Sequence, residues 1–247
     1  MLLPVLGLCS QRAYADSAAD CYKGIPDDAE SPHKLTLLDR EGFTIGYCEE
    51  WKCPAWACYR LEADPQVHSF PRLSFRTDRE IHGPSPNSYS KTGFDRGHLA
   101  PNFAIMSRYG RQAQSATFLM SNVTPMRPKI NRGIWRQLEM RVADKYANQF
   151  GEIWVTAGPI FDDEPSQMEN GVEIPDSFYK VLIDQAGDGP RALAFIFPHE
   201  PETVLNLADC LVSIDQVEEV TGLDLFHELD DAHEIPLEAG EPENLWR

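Results

Sequence analysis

The sequence predicts an α+β fold in a single domain, on three observations. Nineteen prolines are spread through 247 residues, which calls for many loops between short elements and does not suit a helical bundle. Several segments carry the alternating or continuously apolar pattern of strands. One long segment instead repeats its apolar residues at helical spacing. A hydrophobic fraction of 42% is enough for one substantial core, and no Gly/Ser linker, repeat or low-complexity tract divides the middle of the chain.

In chain order, Trp56–Leu61 alternates like a half-buried strand. Arg72–Asp78 follows after a Pro-containing turn, and Pro84–Thr92 is a polar loop. Thr117–Asn122 reads as a buried strand. From Asn131 the period changes: Ile134, Leu138, Val142, Tyr146 and Phe150 recur every four residues as the apolar stripe of a helix. Glu152–Ala157 is a strand ended by Gly158 and Pro159, and Tyr179–Ile183 with Arg191–Phe197 forms a strand pair. Val212–Val220 is a short helix, with Ser213 and Gln216 spaced as a capping box. Residues 231–247 are acidic and contain Pro and Gly, the composition of a loose tail.

At the other end, a short apolar run, Met1 to Leu8, precedes Ala13, Tyr14 and Ala15, small residues placed as a signal peptidase reads them. Residues 1–15 are therefore expected to be a signal peptide and 16–230 the domain, with a secreted or periplasmic destination. The run is far too short to span a bilayer, so no membrane association is expected. Beyond residue 15 lie Cys21, Cys48, Cys53, Cys58 and Cys210, four of them within the first sixty residues, a clustering typical of disulfides in an oxidising compartment. Five is odd, so one thiol at least stays unpaired within the chain. No Cys/His spacing suggests zinc.

The net charge of −17 argues at first against a polyanionic partner. Its distribution reverses the argument. Residues 72–145 hold 13 Lys and Arg against 5 Asp and Glu, while the rest of the chain holds 9 against 34. A basic central third is left for a nucleic-acid face, and the field at that face matters more than the total. An ordinary solvated surface is the competing reading of such a stretch.

The sharpest feature is Asp95-Arg96-Gly97-His98 within Phe94–Pro101, followed by Phe118–Pro125, with Ser121-Asn122 inside it, and by Asn131–Glu139. That ordered trio resembles the DNA/RNA non-specific endonuclease family, and the likeness extends over roughly residues 21–230, through Arg72–Asp78, Thr156–Phe161 and Val212–Phe226. The resemblance implies a central antiparallel sheet flanked by helices, with a ββα-metal motif. It implies hydrolysis of phosphodiester bonds in DNA and RNA without base specificity, with Mg²⁺ as cofactor and Mn²⁺ or another divalent cation as the alternative. No protein partner is expected.

Phosphodiester hydrolysis needs an activated water, neutralised phosphate charge and help for the departing oxygen. His98 matches the family's general base, and a histidine titrating near neutrality suits that task; the competing reading is a satisfied loop histidine. Asn131 matches the side chain that holds the metal, although an asparagine ahead of a helical stripe is also an ordinary N-cap. Arg96 resembles the phosphate-contacting arginine, where a forked, permanently charged guanidinium fits; a structural ion pair with Asp95 is its alternative. Glu139 matches a carboxylate that holds metal-bound water or an arginine, and on a bare helix would be merely solvated. Arg72 matches an upstream phosphate clamp, with Arg76 competing. Asn122 and Asp95 are expected as supports. The remaining histidines, His33, His68, His82, His199, His227 and His233, lack such context and read as surface. The family likeness further implies a Cys21–Cys48 disulfide. A catalytically inactive nucleic-acid-binding domain, or a small-nucleotide phosphodiesterase on the same fold, would share most of these features.

Overall fold

The computed structural model describes residues 20–247 except 29–32, 64–69, 186, 188, 202 and 204. The expected signal peptide and His68 lie outside the described residues. Seven antiparallel strands form the central sheet in the order β1-β2-β3-β6-β9-β10-β11: Leu35–Arg40, Phe43–Cys48, Cys53–Glu62, Glu152–Ile160, Ser177–Asp184, Arg191–Pro198 and Leu211–Val212. The architecture is the expected α+β.

Both faces of this sheet are covered, and β9 shows why its pattern is nearly continuous rather than alternating. Phe178 and Leu182 enter the core on one face, while Tyr179, Val181 and Ile183 enter the core on the other. The first face packs against two helices: α1 at Asn102–Thr117, broken at Gly110 (φ 86°), and α2 at residues 128–150. The second packs against the N-terminal segment around Cys21 and Tyr22 and against α3, Ile214–Thr221. The stripe of α2 is buried as its period requires, with Ile134, Leu138, Val142 and Tyr146 all in the first core. Trp135 is 1% exposed there, so truncation to Ala would cost about 3–5 kcal/mol.

A separate two-stranded ribbon pairs β4, Asp95–His98, with β5, Val123–Met126, setting Asp95 opposite Met126 and His98 opposite Val123. With α2 following at once, this is the ββα arrangement. Gly97 is required by close approach: a Cβ there would meet the Met126 Cβ at 2.7 Å. A second ribbon pairs β7, Ser166–Gln167, with β8, Glu173–Ile174.

Several expectations are corrected. Thr117–Asn122 is not a strand: it closes α1 and turns through Met120–Asn122, and the strand begins at Val123. The segment is apolar because it is buried, and buried turns and strands share that composition. α2 begins at Pro128 with Arg127 as its N-cap residue, so Asn131 sits one turn inside and is not the cap. The capping box of α3 forms as expected, Ser213 Oγ accepting from Gln216 N.

The acidic C-terminus is not loose. Asp231–Glu238 forms α4, and Trp246 packs edge-on against Tyr146 (5.3 Å) and Phe150 (5.6 Å). An aromatic anchor at the very end outweighs the polar composition ahead of it. The Cys21–Cys48 bridge is not formed either. All five described cysteines are buried free thiols. Cys48 faces Cys53 across β2 and β3, and the Cys21 thiol lies beside Cys58 in the second core.

Candidate active site

Strand β4 ends against the first turns of α2, and two contacts stitch them together. Trp135 Nε1 donates to the His98 carbonyl (3.3 Å), and Asn131 Nδ2 donates to Asp95 Oδ2 (2.9 Å). Asn131, Trp135 and Glu139 recur at intervals of four and so share one face of the helix. A cleft of about 770 Å³ opens beside this junction, and Arg72, Asp95, Arg96, His98, Asn131 and Glu139 all line it. Six of the seven expected site residues therefore converge.

The seventh, Asn122, lies behind the wall with 0% exposure. Its amide clasps the backbone next to His98: Oδ1 accepts from Ala100 N (2.9 Å) and Nδ2 donates to Ala100 O (2.9 Å) and Thr117 O (3.1 Å). The Asn122 side chain and an isolated backbone bridge to Arg76, with Arg76 N donating to Phe118 O and Met120 N to Arg76 O (both 2.9 Å), hold this turn in place of a full strand ladder.

The His98 ring is wedged between Phe75 and Phe118, with centroids 5.0 and 5.3 Å away. Burial, and secondarily the Arg72 charge, hold its pKa well below histidine's ordinary value. The ring is neutral at pH 7, as taking a proton requires, but its proton affinity is low. The near-neutral titration expected from the sequence is therefore not what the buried ring shows. Its Nε2 is buried with no hydrogen-bond partner among the described residues, unlike most buried nitrogens.

Asp95 is committed to α2. Arg132 grips it with both fork nitrogens (2.6 and 2.8 Å), and these bonds, opposed by burial, keep its carboxylate below the usual range. The alternative Asp95–Arg96 ion pair does not form. Arg96 instead donates Nε and Nη2 to the Pro86 carbonyl (3.0 and 2.5 Å), with its guanidinium over the Phe75 ring. That anchorage leaves Nη1 for another acceptor. Arg72 lies over the Phe118 ring at 5.4 Å and lines the cleft. Its rival Arg76 is turned away, bonded to Ser115 O (2.9 Å) and Oγ (2.8 Å).

The donor set suits a hard divalent cation. Because Asn131 gives its Nδ2 to Asp95, the amide is oriented, and no described donor engages its Oδ1. One carbonyl oxygen with a nearby carboxylate, Glu139, is a spare set, but Mg²⁺ retains most of its waters and needs few protein ligands.

Two residues of consequence were not singled out from the sequence. Lys180 on β9 is 0% exposed, with Nζ 3.9 Å from Glu139 Oε1 and 3.8 Å from the Trp135 ring centroid. Burial pushes Glu139 up and Lys180 down, and each opposes the other's shift by charge. A lysine midway between Phe178 and Leu182 in a strand apolar on both faces was the available signal. Arg136, exposed and one turn beyond Arg132, also lines the cleft. His199 corrects the surface reading of the other histidines. It is 4% exposed, accepts from Arg127 N (2.7 Å) and pairs with Pro175 O (2.6 Å), so it pins the entry to α2.

Comparison with known proteins bears on the family and the fold. The sequence model described as DNA/RNA non-specific endonuclease matches residues 25–232. Human "Endonuclease G, mitochondrial" is 29% identical over 210 residues, covering 78% of this chain and 70% of that one. A protein named "Nuclease" from a Nostoc species is 28% identical over 218 residues, covering 81% and 78%. A crystal structure titled as the EndoG/EndoGI complex superposes with a TM-score of 0.71 at 21% identity, covering 85% of this chain and 91% of the other, and supports the fold.

Proposed function

The chain belongs to the DNA/RNA non-specific endonuclease family and is a nuclease, a phosphodiester hydrolase; from that premise we propose that it cuts DNA and RNA through a divalent metal held by Asn131, with His98 as general base. The observation that carries this reading is the meeting, in one cleft, of a neutral histidine, an oriented amide oxygen and arginines with unused donors.

Asn131 Oδ1 would hold the cation, and Glu139 would bind a water of its shell. The cation, when bound, supplies charge neutralisation at the phosphate and at the leaving oxygen. His98 removes the proton from the attacking water, for which its neutral ring is ready at pH 7. Arg96 and Arg72 engage the phosphate through donors their anchorage leaves unused, and their stacking on Phe75 and Phe118 limits the entropy lost on binding. Lys180 keeps Glu139 ionised from beneath. Groups of this kind address phosphate and metal and read no base edges, so cutting is independent of sequence.

Mg²⁺ is the cation we favour, since oxygen donors and few protein ligands suit it. The leader-like N-terminus supports export to a secreted or periplasmic site; no helix among the described residues is long and apolar enough to cross a membrane.

The test is a supercoiled plasmid and a single-stranded RNA, each incubated with Mg²⁺ and with chelator. Both are expected to be degraded to a continuous smear in Mg²⁺ and left intact in chelator. Equal cutting in chelator, or no cutting with any divalent cation, overturns the proposal.

A further inference from the structure

Phosphate chemistry does not use every side chain that lines the cleft. Phe103, in the first turn of α1, is 42% exposed and lines the same cavity as His98 and Asn131. Among the described residues it is the only exposed large hydrophobic that is aromatic; the others are Leu37, Val220 and Ile235. A single exposed apolar residue is ordinary on a surface, but this one is in the substrate path.

Its neighbours sharpen the contrast. Phe75 is covered by the His98 ring and the Arg96 guanidinium, and Phe94 by Arg127 at 4.3 Å and the His199 ring. Phe103 has no ring contact and no cation over it among the described residues, and 42% of it is exposed. Asn102, beside it in the chain, also lines the cleft, and its Oδ1 is buried with no hydrogen-bond partner. An exposed aromatic ring next to an unsatisfied amide is the chemistry that holds a nucleobase: the ring stacks on any base, and the amide can meet a polar edge or a sugar hydroxyl.

We infer that Phe103 with Asn102 forms a nucleobase subsite, in which one base flanking the bond to be cut stacks on the Phe103 ring. This rests on the reading of the cleft as the site that binds the substrate's phosphate. Stacking accepts every base, so it adds affinity without sequence preference. It does require an unstacked base, so single strands gain more than intact duplex, which must first open.

The test uses a short single-stranded oligonucleotide in which every linkage but one is a slow-cutting phosphorothioate, and a set in which one base at a time near that linkage is removed. kcat/KM is measured with Mg²⁺, and Kd is measured with chelator by fluorescence anisotropy. Phe103→Ala is expected to lose about 5- to 150-fold on the intact strand, mainly in KM and Kd, and Phe103→Trp to keep wild-type affinity. Removing one particular base should cost the wild type a similar factor and cost Phe103→Ala nothing more. Equal losses for both proteins at every abasic position, or an unchanged Phe103→Ala, overturn the subsite. Circular dichroism of each variant separates misfolding from lost contact, and Phe103→Leu, which keeps apolar area without a π-face, should follow Ala. A wild type that bound and showed the base-specific loss in Kd yet never cut would sink the hydrolytic proposal and leave this one standing.

Discussion

Lys180 Nζ lies 3.9 Å from Glu139 Oε1, joining a wholly buried cation to a carboxylate that is 18% exposed at the cleft wall. The two are not equivalent partners. Glu139→Gln would leave an ammonium in the core with only the Trp135 ring beside it, whereas Lys180→Met would leave a carboxylate that can reach water. Uncompensated buried charge costs about 3–5 kcal/mol. Glu139→Gln is therefore expected to cost that much at pH 7, and Lys180→Met clearly less. Urea unfolding of the two variants checks it, and equal losses would show that the exposure of Glu139 does not matter.

Asn131→Ala removes the amide oxygen but leaves His98 in place. Its activity should fall at low Mg²⁺ and recover in part at high Mg²⁺, because what is lost is metal affinity and not the base. Asp95→Ala should show a milder version of the same shift, since it frees the Asn131 amide to rotate. Rate against Mg²⁺ concentration reads both. An Asn131→Ala titration that superposes on wild type would contradict the metal role.

An acidic cluster away from the cleft predicts a pH dependence of stability. Asp215, Glu218 and Glu238 meet where α3 faces α4, with Asp224 and Glu234 nearby. Burial, followed by these like charges, raises Glu218 to about 7 and Glu238 to about 8. Carboxyls raised above their unfolded pKa stabilise the fold fully below that value, and the contribution is lost as pH climbs through the folded values. The docking of α4 should thus weaken between about pH 4.5 and pH 8. Hydrogen exchange of the α4 amides across that range should report it, and a Glu218→Gln/Glu238→Gln double variant should flatten the curve. Protection that rises with pH would contradict the assignment.

The basic cleft lies in a chain that carries −17 overall. Distant repulsion of a polyanion is screened before contact attraction, since the Debye length is about 8 Å at 0.15 M salt. Initial rates on duplex DNA below saturation should hold or rise with moderate NaCl at fixed Mg²⁺ and decline only later. A steep fall from the lowest salt would mean that the acidic surface points away from the path of the DNA.

Contiguity decides what the sequence made legible. Asp95–His98 and Asn131–Glu139 hold their candidate site residues in short runs, and Ser213 with Gln216 caps a helix through four residues, so all three patterns lie in contiguous sequence. Lys180 reaches Glu139 only because β9 lies under α2, a contact across about forty residues that no local pattern announces. The cysteines behave likewise: sheet pairing, not spacing, puts Cys48 opposite Cys53 and leaves Cys21 with Cys58. Asn122 bonds to the backbone at Ala100 and Thr117, while its segment reads from sequence as a strand, because burial alone does not separate a turn from a strand. Trp246 fastens a tail whose acidic composition suggested looseness.

The central claim is that His98 is the base, and His98→Ala tests it most directly. The ring makes its packing contacts with Phe75 and Phe118, and its backbone carbonyl, which receives Trp135, is unaffected by the change. The variant should fold and keep its Mg²⁺ dependence. Measured at pH 7 with saturating Mg²⁺ on supercoiled plasmid, kcat should fall by about 10²- to 10⁴-fold. In the wild type, the acid limb that His98 sets should lie below histidine's ordinary 6.5, because burial lowers its pKa. A folded His98→Ala protein that keeps more than about a tenth of the wild-type rate contradicts the account.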